Sequence, residues 1–128
     1  LFGDEVLLLV ADILRDSFHG RDRIFRFGGE EFVVLLQDTD QDGATLALDR
    51  VREAIAQRHF PQVGKVTISI GATQARANDM PADLLGRADE ALYYAKEHGR
   101  NQTRVWERLQ AGGQVQATAE VHTDAELF

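Results

Sequence analysis

Cysteine is absent from this 128-residue sequence. The chain therefore has no disulfides, no thiolate metal site and no cysteine nucleophile. Its apolar runs fall well short of the roughly 20 residues that a membrane-spanning helix requires. No serine has an evident histidine and acid partner for nucleophilic catalysis. We expect a cytoplasmic domain, although its parent protein could be attached to a membrane.

Basic residues are the minority, since 14 Lys and Arg stand against 21 Asp and Glu, for a net charge of −7 and a pI near 5.0. Duplex DNA and anionic membrane surfaces both require a net basic face, so DNA is not an expected partner. A small phosphorylated ligand held by two or three local cations is compatible with this balance. The hydrophobic content of 44% is that of one ordinary globular domain.

Apolar spacing predicts alternating helices and strands. The helical period indicates helices over residues 4–18 and around 44–55. A third helix is predicted to begin in the segment 77–85 and to end at Gly99, which should adopt a left-handed conformation. Period-two alternation indicates strands over 23–27, 32–36, 66–73 and 102–106. The order α-β-β-α-β-α-β predicts an α/β fold of the ferredoxin-like or palm kind, with a mixed sheet flanked by helices.

The domain is expected to span residues 1–108. From residue 109 to 128 the apolar pattern fades, and we predict a flexible tail there. A sheet of this kind normally has a central strand before its first helix, and no segment of this sequence corresponds to that strand. Either the fold is unusual, or the sequence starts inside a domain whose N-terminal strand and helix it does not include.

The stretch "FRFGGEEFVVLL" joins two apolar runs through two glycines and two glutamates. Paired glycines let the backbone approach a ligand closely. Glu30 and Glu31 are neighbours at the start of a strand, so their side chains should point to opposite faces. One carboxylate beside a glycine turn suits a hard divalent cation that also binds phosphate oxygens. The residues alone support this metal site and an exposed acidic turn about equally.

The stretch "RFGGEEF" resembles the GGDEF (or GGEEF) signature of diguanylate cyclases, which condense two GTP into cyclic di-GMP. "FGDEVL", "VTISIGAT" and "ADEALYYAKEHGRNQ" also resemble segments of this family, in its order and approximate spacing. The resemblance covers about residues 1 to 106. It implies the palm-type GGDEF fold, a Mg²⁺ or Mn²⁺ cofactor, GTP as substrate and cyclic di-GMP as product. It also implies catalysis by a homodimer, under the control of an upstream sensory or receiver domain.

The resemblance also implies roles for individual residues. Glu30 corresponds to the metal-binding acid, which is also often assigned as the base for the attacking 3′-hydroxyl, and Glu31 has a supporting role. Gly28 and Gly29 bring the backbone near the phosphates. Asp4 corresponds to an acid that recognises the guanine edge, where a carboxylate accepts from N1–H and N2–H₂. The alternative role for Asp4 is a helix cap, and the two roles are compatible if different carboxylate oxygens are used.

Lys96 and Arg100 stand four residues apart around the end of the third predicted helix. Cations are favoured near a helix C-terminus in any protein, so their position alone indicates no ligand. They correspond to the family's triphosphate-binding cations, and the resemblance therefore implies phosphate binding.

Two departures from the family pattern affect the expected activity. Family members carry a second metal-binding aspartate, a guanine-binding asparagine and a Gly-His pair before the "GD" that contains Asp4, and none is found here. We therefore expect weak or no catalysis from these 128 residues alone. The alternative function is an inactive GGDEF module that binds GTP or cyclic di-GMP as a sensor or dimerisation domain. A third alternative is a purely structural interaction domain.

The second departure concerns product feedback. Many family members carry an RxxD motif before the signature, where the product binds and inhibits. Those places hold His19 and Asp22, with Arg21 nearby. Arginine is always charged and binds bidentately, whereas histidine is mostly neutral at pH 7. We expect weak or absent inhibition, with Arg50 either a secondary arginine of that site or an ordinary surface residue.

Overall fold

The structure is a computed structural model that describes residues 3–18, 20, 22–27 and 29–115. Helices and strands alternate along the chain. Their bounds are α1 Asp4–Ser17, β1 Arg23–Arg26, β2 Phe32–Leu35, α2 Gln41–Gln57, β3 His59–Phe60, β4 Gly64–Lys65, β5 Ile70–Ala72, α3 Pro81–Glu97, β6 Thr103–Val105 and α4 Trp106–Ala111. Within this part of the chain, no helix is long and apolar enough to cross a membrane.

The start of α1 excludes the helix-cap alternative for Asp4. Gly3 is the N-cap residue, and no side chain caps this helix. Asp4 is instead the first helical residue and forms an acidic first turn with Glu5. Negative charge there is favoured by the helix dipole, which accounts for the acids without any capping bond.

One main core holds the fold together. The buried face of α1 packs against that of α2, with Phe60 and Val66 in the same cluster. Its largest fully buried side chains are Val51, Ile55 and Phe60. The helices predicted over 4–18 and around 44–55 are thus confirmed as α1 and α2, each with one buried apolar face.

The two strands predicted over 23–27 and 32–36 are confirmed, and they form a hairpin in which β1 pairs antiparallel with β2. Ile24 lies opposite Val34, and Arg26 lies opposite Phe32. Ile24, Phe32 and Val34 pack against the main core, whereas Phe25 on the other face is 45% exposed. The hairpin is therefore anchored by one face, while Gly29 and Glu30 of its turn are exposed.

The strand predicted over 66–73 is shorter than expected. Its buried face is confirmed, because Val66 is buried and Ile68, Ile70 and Ala72 pack on the main core. However, β5 pairs with β6 over three residues only, in parallel. A ladder requires a hydrogen-bonded partner, and alternation of side chains does not reveal where that partner ends. The single mixed sheet is likewise replaced, in the described residues, by separate two-stranded ladders.

Helix α3 packs directly on β5 because Gly71 has no side chain. A Cβ at that position would lie 2.2 Å from the Ala88 carbonyl oxygen and 2.3 Å from the Leu92 nitrogen. Gly99 follows the C-cap residue His98 with φ of +115°, which confirms the predicted left-handed end. The structure thus fixes both the packing face and the end of the helix that carries Lys96.

The sequence did not predict α4 or the short β3–β4 hairpin. Helix α4 spans the proposed domain boundary at residue 108, and its Leu109 is buried beside Ala91 and Trp106. The division between domain and flexible tail stays a prediction. Residues 116–128 of that tail lie outside the described part of the chain.

Candidate functional site

The turn of the β1–β2 hairpin presents the Gly-Gly-Glu-Glu segment. The Phe27 nitrogen donates to the Glu31 carbonyl oxygen at 3.0 Å and closes the turn. Gly29 has φ of +55°, a backbone conformation that residues other than glycine rarely adopt. The Arg26 guanidinium donates to the Gly29 carbonyl at 3.0 Å. Gly28, the other glycine of the motif, lies outside the described residues.

The two glutamates differ in exposure. Glu30 is exposed at the turn, and Glu31 is half-buried as β2 begins. This difference in exposure agrees with the prediction that the Glu30 and Glu31 side chains point to opposite faces. Glu30 can therefore offer carboxylate oxygens to a ligand that approaches from solvent.

The described residues do not bring together the ligands of a complete metal site. A carboxylate at a glycine turn has the right chemistry for a hard divalent cation, and Mg²⁺ usually takes one or two carboxylates together with phosphate oxygens. Among the described residues, no group of three acidic or histidine side chains is placed to hold an ion. Glu30 thus fits as one ligand, with other ligands to come from elsewhere.

Lys96 and Arg100 lie where α3 ends. Lys96 is in the last turn of α3. Arg100 lies in the turn that follows the helix, between Gly99 and Gln102. Both side chains are exposed. Neither forms an ion pair or a side-chain hydrogen bond in the described part of the chain. Two unpaired cations in this position are well suited to bind phosphate groups.

The remaining predicted site residues are separate from these groups. Asp4 is exposed at the start of α1, and Arg50 is exposed on α2. Asp22 accepts a hydrogen bond from the Gln37 backbone nitrogen at 3.1 Å, which ties the base of the hairpin. His19 and Arg21 lie outside the described residues, so the proposed product site cannot be assembled from geometry.

The hairpin and the end of α3 are held by different contacts. The hairpin packs on the α1–α2 core, whereas α3 packs on β5 and β6. A shallow cavity between α2, β6 and α4 is lined in part by Thr45, Thr103 and Arg108 and contains none of the predicted site residues. The predicted site residues that the structure describes most fully, Glu30, Lys96 and Arg100, are exposed to solvent.

Sequence reasoning missed a polar network at the other end of α3. Arg87 makes two hydrogen bonds to Asp79, of 2.9 and 2.7 Å, and a third to Thr73 Oγ1 at 2.9 Å. Glu107 accepts from Thr73 Oγ1 at 2.6 Å and lies 3.7 Å from the Arg87 Nε. The Arg87 guanidinium lowers the pKa of the Asp79 carboxyl to about 2, while Asp79 in turn raises the pKa of Arg87.

Trp106 connects this network to the second, smaller core. Its ring lies 5.4 Å from the Arg76 guanidinium and 5.8 Å from that of Arg87. Its indole nitrogen donates to the Glu90 carboxylate at 2.9 Å. The sequence shows only a lone tryptophan after a strand, and no spacing signal pairs it with arginines from distant segments.

Comparison with known proteins identifies the family. The family model described as "Diguanylate cyclase, GGDEF domain" matches residues 1–102. The chain belongs to the GGDEF family. The match includes the hairpin with Glu30 and the end of α3 with Lys96 and Arg100.

Curated relatives of this GGDEF chain are diguanylate cyclases. Diguanylate cyclase DgcP of Pseudomonas aeruginosa is 43% identical over 108 residues, which cover 82% of this chain and 16% of that protein. Diguanylate cyclase DgcM of Escherichia coli K12 is 39% identical over 99 residues, covering 77% of this chain and 24% of the relative. The chain thus spans between a sixth and a quarter of these relatives.

Solved structures confirm the fold class. The active GGEEF domain of a diguanylate cyclase from Vibrio cholerae is similar with a TM-score of 0.73 and 30% identity, over 80% of this chain and 67% of that one. The GGDEF domain of DgcB from Caulobacter crescentus, solved in complex with c-di-GMP, has a TM-score of 0.77 and 25% identity. That match covers 81% of this chain and 64% of the other. The α/β GGDEF fold predicted from the sequence is therefore confirmed.

Proposed function

We propose that this chain is the catalytic domain of a diguanylate cyclase that condenses two GTP into cyclic di-GMP and two pyrophosphates. The observation that carries the proposal is the intact GGEEF hairpin, with Glu30 exposed at a glycine turn. The family match and the diguanylate cyclases among the relatives support the same activity.

In the proposed reaction, the 3′-hydroxyl of each GTP attacks the α-phosphorus of the other, so the following step occurs twice. A new O–P bond forms, the bond between the α- and β-phosphates breaks, and pyrophosphate leaves. The Glu30 carboxylate would supply one ligand to Mg²⁺ or Mn²⁺ and is also the candidate acceptor of the hydroxyl proton, with Glu31 in support. A bound divalent cation would neutralise charge on the phosphates.

The exposed groups at other elements would hold the substrate. Lys96 and Arg100 would pair with the triphosphate, for which an arginine fork is especially suited. The Asp4 carboxylate would accept from the guanine edge, and the Gly28–Gly29 backbone would approach the phosphates. Because each domain provides one such set, the two GTP molecules would be brought together by a homodimer.

Regulation of this dimer is proposed to come from a partner or an attached sensory or receiver domain. SiaD of Pseudomonas aeruginosa, solved in complex with its activator SiaC, is among the similar structures. Product feedback through His19, Asp22 and Arg50 is proposed to be weak, because a mostly neutral histidine stands where many family members have an always-charged arginine. Added cyclic di-GMP should leave the initial rate almost unchanged.

The alternative function is a GGDEF module that binds nucleotide without turning it over. It is favoured by one observation, which is that the described residues do not assemble a complete metal site. In that case GTP or cyclic di-GMP would still bind at the exposed cations.

The first experiment is incubation of the protein with GTP and Mg²⁺, followed by chromatography for cyclic di-GMP and pyrophosphate. In a complete domain the cyclase proposal expects both products, and it expects Glu30→Gln to abolish them while the circular dichroism spectrum stays unchanged. These 128 residues alone are expected to give weak or no turnover. Glu31→Gln is the matched variant and should cause a smaller loss. Nucleotide binding without product would support the alternative, and absence of both would contradict the two functions together.

A further inference from the structure

We infer that Arg52 on α2 is a positioning residue for the phosphate-binding Arg100, acting through Asn101. The inference rests on the proposed function, because it concerns how the cation of that site is held. Arg52 lies 49 residues before Asn101, and nothing in the GGEEF hairpin or the end of α3 identifies it.

The backbone that carries Arg100 has an unusual conformation. Gly99, Arg100 and Asn101 have φ values of +115°, +59° and +46°, so three successive residues are left-handed. Asparagine tolerates this region, whereas arginine rarely adopts it. Such a turn persists only when surrounding contacts hold it, and it is a feature found at functional sites.

Arg52 supplies the longest-range of these contacts. Its Nη1 atom donates to the Asn101 side-chain oxygen at 2.9 Å and to the Asn101 carbonyl oxygen at 3.2 Å. One guanidinium nitrogen therefore binds both acceptors of a left-handed residue. The planar arginine fork is well matched to this task, and a lysine ammonium is less so.

Arg52 is itself held in place on α2. Its Nε donates to Asp49 at 3.2 Å, and its Nη2 lies 3.5 Å from Glu53. Only 16% of the Arg52 side chain is exposed. The two acids neutralise its charge, so Arg52 is equipped to orient the turn and not to bind an anion directly.

The other side of the turn is tied to the sheet and to α3. The Asn101 nitrogen donates to Ser69 Oγ at 3.1 Å, just before β5. The Arg100 nitrogen donates to the Ala95 carbonyl at 2.9 Å, and Gln102 Nε2 donates to the Arg100 carbonyl at 3.2 Å. Every main-chain group named here is engaged, while the Arg100 guanidinium is exposed to solvent.

This arrangement fixes the Cα–Cβ direction of Arg100 relative to Lys96 before any ligand binds. Loss of the Arg52 bonds would let the turn relax toward ordinary φ values. The Arg100 side chain would then start from a wider range of positions, and GTP binding would have to order it. The expected consequence is weaker GTP binding with the fold retained.

The test is a double-mutant cycle on GTP affinity, measured by calorimetry with Mg²⁺ present. Arg52→Gln should weaken binding about fivefold when Arg100 is intact and have almost no effect in an Arg100→Ala background, because coupled residues are not additive. Arg58→Gln, an exposed arginine at the end of the same helix, is the control and should not change affinity. Arg52→Lys should fall between the unmodified protein and Arg52→Gln.

Three results would overturn the inference. Arg52→Gln could leave affinity unchanged, or it could weaken binding equally in both backgrounds, which would indicate a general structural role. If Arg100→Ala itself did not weaken GTP binding, the phosphate role of Arg100 in the proposed function would fail first. Asn101→Gly, which keeps the left-handed turn but removes the side-chain acceptor, provides a second variant should Arg52→Gln not fold.

Discussion

The two ends of α3 each carry an arginine, and the two arginines are in opposite situations. Arg87, in the second turn, is only 12% exposed and is bound to Asp79, Thr73 and Gln74. Arg100, just beyond the last turn, is exposed and has no ion pair in the described part of the chain. The backbone at Arg87 is regular helix, whereas at Arg100 it is left-handed.

This difference separates a structural cation from one available to a ligand. A cation whose hydrogen bonds are all satisfied within the protein stabilises the fold but has nothing left to offer a phosphate. A cation on a constrained backbone, with its guanidinium in solvent, contributes little to stability but can bind a phosphate. The comparison therefore predicts that variants at the two ends will affect different properties, namely stability at Arg87 and nucleotide binding at Lys96 and Arg100.

The largest effect is expected for Arg87→Met. This change keeps much of the side-chain volume but leaves the Asp79 and Glu107 carboxylates without their shared cation. Removing one partner of this hydrogen-bonded network should lower the free energy of unfolding clearly more than a substitution at an exposed site does. Urea unfolding measures it, with Arg58→Met as the matched control at an exposed site, where a change within about 0.5 kcal/mol is expected. A loss no larger than the control's would contradict the structural role.

The second prediction tests the close packing between the middle of α3 and β5 at Gly71. Gly71→Ala would force a Cβ into contact with the backbone of Ala88 and Leu92. Overpacking of this kind should lower the free energy of unfolding by roughly 2 kcal/mol. Gly86→Ala is the matched variant, because a Cβ there meets no atom within 4 Å. It should stabilise α3 by up to about 1 kcal/mol, since alanine favours helix. Equal effects of the two changes would disprove the close packing at Gly71.

The comparison between the ends also shows what the sequence could predict. Lys96, Arg100 and Glu30 were identified because short motifs carry them, and their local order in the chain is sufficient for recognition. The Arg87 network could not be found this way. It joins Thr73 and Asp79, in the connection between β5 and α3, to Glu107 on α4, and each residue alone looks like an ordinary surface polar group.

The same distinction holds for the fold: elements set by local sequence were predicted, and elements set by distant contacts were not. Helical periodicity placed α1 and α3 well, because their buried faces repeat within one segment. The strand over 66–73 was predicted too long, since pairing depends on β6, which lies some thirty residues away. The helix at Trp106 was missed because its stabilising contacts come from Glu90 and two arginines and not from its own short sequence.

At the ligand-binding end, Lys96→Ala should separate binding from stability. Loss of one charge-assisted contact to phosphate should weaken GTP binding roughly tenfold, or about 1.4 kcal/mol. The free energy of unfolding should stay within about 0.5 kcal/mol, because Lys96 is exposed and unpaired within the described residues. Lys65→Ala, at an exposed lysine on β4, is the control and should alter neither quantity. Unchanged GTP affinity for Lys96→Ala would remove this residue from the proposed site.

The smallest expected effect is on the pH dependence of stability, and it concerns the Asp79–Arg87 pair near the start of α3. The Arg87 guanidinium holds the pKa of Asp79 at about 2, below the ordinary value of 3.8. A carboxyl whose pKa is lower in the folded state stabilises the protein fully above its unfolded pKa. That contribution is lost as the pH falls from about 4 toward 2, when Asp79 takes up a proton.

Asp79→Asn should therefore be less stable than the unmodified protein at pH 6 and should lose less stability between pH 5 and pH 2.5. Urea unfolding at a series of pH values gives the slope for each protein. Asp16→Asn, at an exposed aspartate on α1, is the control and should reproduce the unmodified slope. If Asp79→Asn also reproduced it, the ion pair with Arg87 would not persist in solution. The structural end of α3 would then resemble its exposed end, and the distinction between the two arginines would rest on burial alone.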